Sequence, residues 1–178
     1  WRVRAKSGGM TARDGFLIVG LSWIAMSLFG ALLFVLTGDI PNYIDALFET
    51  ISGLTTTGAS VVTAPEEMTR GGMFWRLFTH WIGGMGILVF VLAVLPMSGN
   101  RSMHIMRAEV PGPTVGKLVP RIRKTASILY LLYIALTLVE MVLLIAGGMS
   151  FYDALLHAFA TAGTGGLSTR ALSIGYYN

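Results

Sequence analysis

Long apolar stretches dominate this chain, and its charges fall between them. Gly15 to Thr37 carries no charge. Leu77 to Met97 holds only His80 as a titratable group, and Thr125 to Gly148 holds one charge, Glu140. Each predicts a helix long enough to cross a hydrocarbon core of about 30 Å at about 1.5 Å per residue. Ile44 to Leu54 and Phe151 to Ala162 are apolar but shorter. As helices they reach about 17 Å, roughly half a bilayer. Their place between spans predicts re-entrant helices, with buried helices of a soluble core as the other reading.

The two short stretches belong to a repeat. Asp45 to Ser60 reads D-A-L-F-E-T-I-S-G-L-T-T-T-G-A-S, and Asp153 to Ser168 reads D-A-L-L-H-A-F-A-T-A-G-T-G-G-L-S. The two copies align without a gap, so one constant offset pairs Asp45 with Asp153 and Gly58 with Gly166. Each copy follows a long span and ends in a Thr/Gly-rich run. Internal repetition on this scale signals a duplicated architectural unit.

Composition supports a membrane setting. The chain is 54% hydrophobic and 12% charged, whereas soluble domains carry about 25% charge. Zero cysteines exclude disulfides and thiolate metal sites. The basic residues flank apolar spans without an aromatic-basic motif, which argues against nucleic acid as a partner and for membrane lipid. The chain opens on Trp1 and stops at Asn178 soon after the second copy, so a fragment without a signal peptide is expected.

Charge placement sets orientation. Arg2, Arg4, Lys6 and Arg13 precede the first span, and Arg101, Arg107, Lys117, Arg121, Arg123 and Lys124 separate the second from the third. Between spans one and two, Arg70 and Arg76 face five acids. The positive-inside rule puts the N-terminus and the 98–124 loop in the cytoplasm. Both short helices then enter from outside, as a parallel repeat. Expected units are 1–97, a basic loop 98–124, and 125–178. The expected fold is an all-α integral membrane protein of repeated transmembrane helix, re-entrant pore helix, transmembrane helix units.

At membrane depth, unpaired backbone is tolerated only where it is buried or lines a watery cavity. Thr55, Thr56, Thr57 and Gly58, and Gly163, Thr164, Gly165 and Gly166, follow the short helices there. Their carbonyls can replace the hydration shell of a cation. The helices' C-terminal ends add partial negative charge, while Asp45 and Asp153 can cap and oppose the positive ends. A simple turn or close helix contact is the plainer reading of either run alone.

Together with H-W-I-G-G-M-G-I-L-V-F-V-L-A-V-L-P, R-A-E-V-P-G-P and H-A-F-A-T-A-G-T-G-G-L-S-T, the repeat resembles the pore subunit of bacterial Trk/Ktr-type potassium uptake systems over nearly the whole chain. The resemblance implies four consecutive repeats in pseudo-fourfold array, with the first and half of the second present here. It implies filter strands at 55–60 and 163–168, one filter glycine per repeat at Gly58 and Gly166, and potassium as substrate held by backbone carbonyls, with no cofactor. It further implies a bacterial inner-membrane homodimer on a cytosolic nucleotide-binding regulatory subunit. The first run reads T-T-T-G and the second G-T-G-G, so the filter would be only approximately symmetric.

Other residues are read more plainly. Glu140 is an intramembrane ionisable group that borders an outer cavity or braces the filter, or else pairs with a neighbouring helix or snorkels outward. His80 reads as an interface residue. Gly83, Gly84 and Gly86 read as close-packing positions against the adjacent pore helix or filter. Tyr43, Trp75 and Trp81 read as an interfacial belt. Pro111, Pro113 and Pro120 break helix in the basic loop, which contacts anionic lipid or docks a regulator. An enzyme is not expected, since His80 and Glu140 lie on different spans and supply too little chemistry. A non-conducting scaffold or assembly subunit is the alternative function.

Overall fold

The computed structural model describes residues 12–87 and 118–177. These form five α-helices with no strand among the described residues: α1 (Ala12–Thr37), α2 (Tyr43–Leu54), α3 (70–87), α4 (Leu118–Ala146) and α5 (Phe151–Ala162). Short 3-10 turns occupy Pro65–Glu67 and Ser173–Tyr177. Residues 88–97 of the expected second span, and the basic loop through Lys117 with Pro111 and Pro113, lie outside the described residues.

The long helices are built for lipid. Mean hydropathy reaches 2.2 in α1 and 2.5 in α4, yet only 22% and 6% of those windows are buried. A core helix of a soluble protein with that composition would be mostly covered. Two boundaries differ from the sequence expectation. α3 starts at residue 70, so Arg76 lies inside a helix and not in a loop. The described part of α4 begins at Leu118 and runs through Pro120, which therefore lies within a helix and not in a loop.

The half-length helices dock in the same way. α2 packs on α1 and α5 on α4. Both begin with a side-chain cap: the Asn42 carbonyl accepts from the Ile44 amide, and the Ser150 hydroxyl from the Asp153 amide. Asn42 and Ser150 are themselves related by the offset of the repeat. Capping by Asp45 and Asp153 is therefore corrected. Both acids lie in the first turn, where they oppose the helix dipole.

α3 joins the two units. Its Trp75 indole donates to the Gly30 carbonyl on α1 at 3.1 Å, and its Trp81 indole to Thr137 on α4 at 3.2 Å. Tyr43 donates to the Leu28 carbonyl. Each of these aromatic tips thus has a partner on a neighbouring helix. Leu77 and Met73 on α3 form a core with Leu156, Phe159 and Ala160 on α5. Ala31 and Phe34 on α1 pack with Ala46 on α2.

Asp39 latches the loop after α1 to the start of α3. It accepts from the Thr69 amide at 2.6 Å and from the Thr69 and Thr37 hydroxyls at 2.7 Å. Burial pushes this carboxyl up, but the hydrogen bonds from Thr69 and Thr37 outweigh it and hold it below its ordinary value. The latch is therefore complete above the ordinary carboxylate range and is lost as pH falls through the lowered folded value. In detergent-solubilised protein, Asp39→Ala should lower Tm by a few degrees at pH 6. The gap to wild type should shrink below about pH 4. A gap that stays constant to pH 2.5 would refute the latch.

Candidate functional site

Each half-length helix runs into the same backbone turn. α2 is capped at its C-terminal end by Thr55 (φ −80°, ψ 2°) and α5 by Gly163 (φ −73°, ψ −5°). Beyond them φ is positive at Thr56 (56°) and Gly58 (74°), and again at Thr164 (61°) and Gly166 (69°). The intervening Thr57 and Gly165 are not left-handed. Glycine takes this conformation freely, whereas a β-branched threonine does so at about 1–2 kcal/mol.

The hydrogen bonds repeat as well. The amides of Thr55, Thr56 and Thr57 donate to the carbonyls of Ile51, Gly53 and Ser52. Those of Gly163, Thr164 and Gly165 donate to Phe159, Thr161 and Ala160, the equivalent partners in the second copy. The amides are thus turned back onto the helix ends. Among the described residues, no hydrogen bond reaches the carbonyls of Thr55 to Gly58 or of Gly163 to Gly166. Alternating backbone hand aligns like groups of successive peptides on one side. The result is a short row of free carbonyl oxygens in each copy, at the negative end of a helix.

The two runs meet across α3. A Cβ on Gly58 would overlap the Gly165 carbonyl oxygen. Gly83 on α3 lies against the Leu54 carbonyl, and Gly84 within contact of Gly163. These glycines let α3 approach both runs at backbone distance.

A polar bracket holds the far end of each run. Ser60 donates to the Glu49 carboxylate at 3.0 Å and accepts from the Val62 amide at 3.0 Å. Ser168 is its equivalent in the second copy, 2.9 Å from His157 Nε2, and accepts from the Arg170 amide at 3.0 Å. His157 occupies the position equivalent to Glu49. Its Nδ1 lies 2.8 Å from the Asp153 carbonyl, which can only accept. Nδ1 therefore carries a proton, and Nε2 pairs with the Ser168 hydroxyl.

Arg76 crosses between the copies. Its Nε donates to Glu49 at 2.5 Å, one Nη to Ser60 at 2.7 Å, and the other to the Ser168 carbonyl at 3.3 Å. Glu49 is 1% exposed and Arg76 3%, so the pair sits in the interior. Sequence reasoning passed over Glu49, His157 and Arg76. The available signal was an ionisable residue at an equivalent position, one turn past the aspartate, in each half-length helix.

The remaining candidates lie apart from the runs. Asp45 lines a cleft of about 480 Å³ with Asp39, Thr63 and Glu67, and makes no hydrogen bond among the described residues. Asp153 accepts from Ser150 and Thr169, tying the start of α5 to the segment beyond its run. Glu140 is half-buried on α4, about one turn past Thr137, with no hydrogen-bond partner among the described residues. His80 is fully buried against Gly163 and Gly165, which corrects its reading as an interface residue. No group of three His, Cys, Asp or Glu among the described residues could hold a metal ion. Among the described residues, the carbonyl oxygens of the two runs accept no hydrogen bond, and neither do the carboxylates of Asp45 and Glu140.

Fold and paired runs together define an all-helical membrane protein built from repeated units with a half-length helix inside each. The sequence model of the TrkH cation transport proteins matches residues 1–178, and the chain belongs to that family. The Trk system potassium uptake protein TrkH of Halomonas elongata is 44% identical over 171 residues, covering 95% of this chain and 36% of that protein. TrkH of Escherichia coli K12 is 42% identical over 181 residues, covering 100% of this chain and 37% of that protein. The crystal structure of the potassium transporter TrkH from Vibrio parahaemolyticus matches with a TM-score of 0.77 at 39% identity, over 97% of this chain and 34% of that one. The chain thus spans little more than a third of the length of these relatives.

Removing one partner of a buried ion pair costs about 3–5 kcal/mol, because the other charge is left behind. Glu49→Gln and Arg76→Met should each lower thermal stability strongly in detergent. The double variant should recover part of the loss. Additive losses in the double variant would show that the pair does not act as a unit.

Proposed function

We propose that this chain supplies the first repeat and half of the second of a potassium-uptake pore, and that Thr55 to Gly58 and Gly163 to Gly166 are two strands of its selectivity filter. The observation that carries the proposal is the recurrence of left-handed backbone at Thr56, Gly58, Thr164 and Gly166, with the carbonyls of both runs free of hydrogen bonds among the described residues. Carbonyl rows of this kind suit a dehydrated monovalent cation. The names of the relatives point to potassium.

The rest of the pore follows from the same offset. Gly58 faces Gly165 of the next copy. Gly166 is equivalent to Gly58, and the direction of its Cβ is open in this chain. A third copy fits there, with a fourth closing the ring. The positive-inside argument orients the half-length helices inward from the outer face of a bacterial inner membrane. The wider assembly in this proposal is a homodimer resting on a cytosolic nucleotide-binding regulatory subunit, docked by the basic 98–124 loop.

Gly58→Ser and Gly166→Ser test the filter directly. Each side chain meets a left-handed backbone, and the one at Gly58 also meets the Gly165 carbonyl. A cost of about 1–2 kcal/mol on a filter strand corresponds to roughly five- to thirtyfold in a rate or selectivity ratio. Potassium-over-sodium selectivity of uptake in intact cells should fall by that order in both variants. Wild-type selectivity in both, at normal membrane levels, would remove the filter assignment.

A further inference from the structure

His80 has a place in this structure that the pore reading alone does not give it. It lies on α3 and is fully buried, and neither ring nitrogen makes a hydrogen bond among the described residues. A buried polar group left unpaired is costly, so its place here calls for a reason. The ring edge formed by Cδ2 and Nε2 rests on Gly165, where a Cβ would overlap both atoms. The His80 carbonyl oxygen sits 2.6 Å from where a Cβ on Gly163 would be.

This contact accounts for the difference between the two runs. Thr55 and Thr57 stand at the positions of Gly163 and Gly165. In the first run their side chains have room. Thr55 donates to the Ile51 carbonyl at 2.8 Å, and its hydroxyl meets that of Thr57 at 2.8 Å. In the second run the same space is filled by the backbone and ring of His80. T-T-T-G and G-T-G-G are therefore one backbone supported in two ways, by a threonine pair in one copy and by an imidazole from α3 in the other.

We propose that His80 is a positioning residue for ion selectivity, its ring replacing the missing threonine side chains and holding the Gly163–Gly166 strand in its carbonyl-presenting conformation. The proposal rests on the filter reading above.

The test is a double-variant cycle on cation uptake by the intact membrane protein, with membrane levels measured alongside. Gly165→Thr gives the second run the residue of the first and forces it onto the ring. Overpacking of about 1–3 kcal/mol predicts a loss of potassium uptake of roughly five- to 150-fold. His80→Ala should leave transport but lower the potassium-over-sodium uptake ratio, and His80→Gln, which refills the space, should restore that ratio. The double variant His80→Ala with Gly165→Thr should regain uptake well above Gly165→Thr alone. Additive losses in the double variant, or an unchanged ion ratio in His80→Ala, would overturn the proposal. Unchanged selectivity in Gly58→Ser and Gly166→Ser would remove the filter reading and this role with it. Sensitivity there combined with additivity here would remove the role of His80 alone.

Discussion

The arrangement turns on the buried pair of Glu49 and Arg76. Glu49 comes from α2, Arg76 from α3, and the serine and amide that complete the carboxylate's shell come from the segment beyond the first run. One guanidinium nitrogen then reaches the second copy at Ser168. Four pieces of chain that share no regular hydrogen-bonding pattern are thereby fixed to one another. Such pairs add little net stability over a well-packed apolar substitute, because both ions must be desolvated. What they add is discrimination. Any arrangement that separates the two leaves an uncompensated charge inside the protein, which is costlier than a misplaced methyl group. The pair thus selects one placement of the run's far end.

The second copy solves the same problem without an ion pair. His157 replaces Glu49; its Nδ1 donates to the Asp153 carbonyl, and its Nε2 pairs with the Ser168 hydroxyl. His157 and Ser168 both belong to the second copy, so this bracket closes within it. The asymmetry suits the position of Arg76. Two buried carboxylates around one guanidinium would leave a net negative charge, which the imidazole at position 157 avoids.

Much of this fold is legible in the sequence, for reasons that can be separated. Helix lengths follow from uninterrupted apolar stretches, and the half-length helices stand out because they are too short to span. The offset of the repeat appears again in the caps at Asn42 and Ser150 and in the left-handed residues of the runs. Other features needed the tertiary structure. Arg76 reads as a loop charge because a hydropathy criterion starts the span after it; its partner Glu49 lies on a different helix. The tryptophans and Tyr43 read as belt residues because composition cannot tell an indole facing headgroups from one bonded to a neighbouring helix. His80 reads as an isolated polar residue because its neighbours, Gly163 and Gly165, lie far along the chain in the other copy.

The local energetics explain why the runs need so much support. Each contains a left-handed threonine, unfavourable by about 1–2 kcal/mol. Each also returns amides to its helix end, and a hydrogen bond of that kind contributes about 0.5–1.5 kcal/mol net. These terms are of similar size, so the helix end alone favours the observed conformation weakly, if at all. Neighbouring structure must decide it. The serine bracket holds the far end, and the glycine face of α3 presses on the near end. A carbonyl row left to its local preferences would rotate some oxygens toward other partners, and a site that reads ion size by oxygen placement would lose its basis for discrimination. That the supporting contacts cross between copies, from Arg76 to Ser168 and from Gly58 to Gly165, makes the conformation of each run a property of its neighbour as well as of its own sequence.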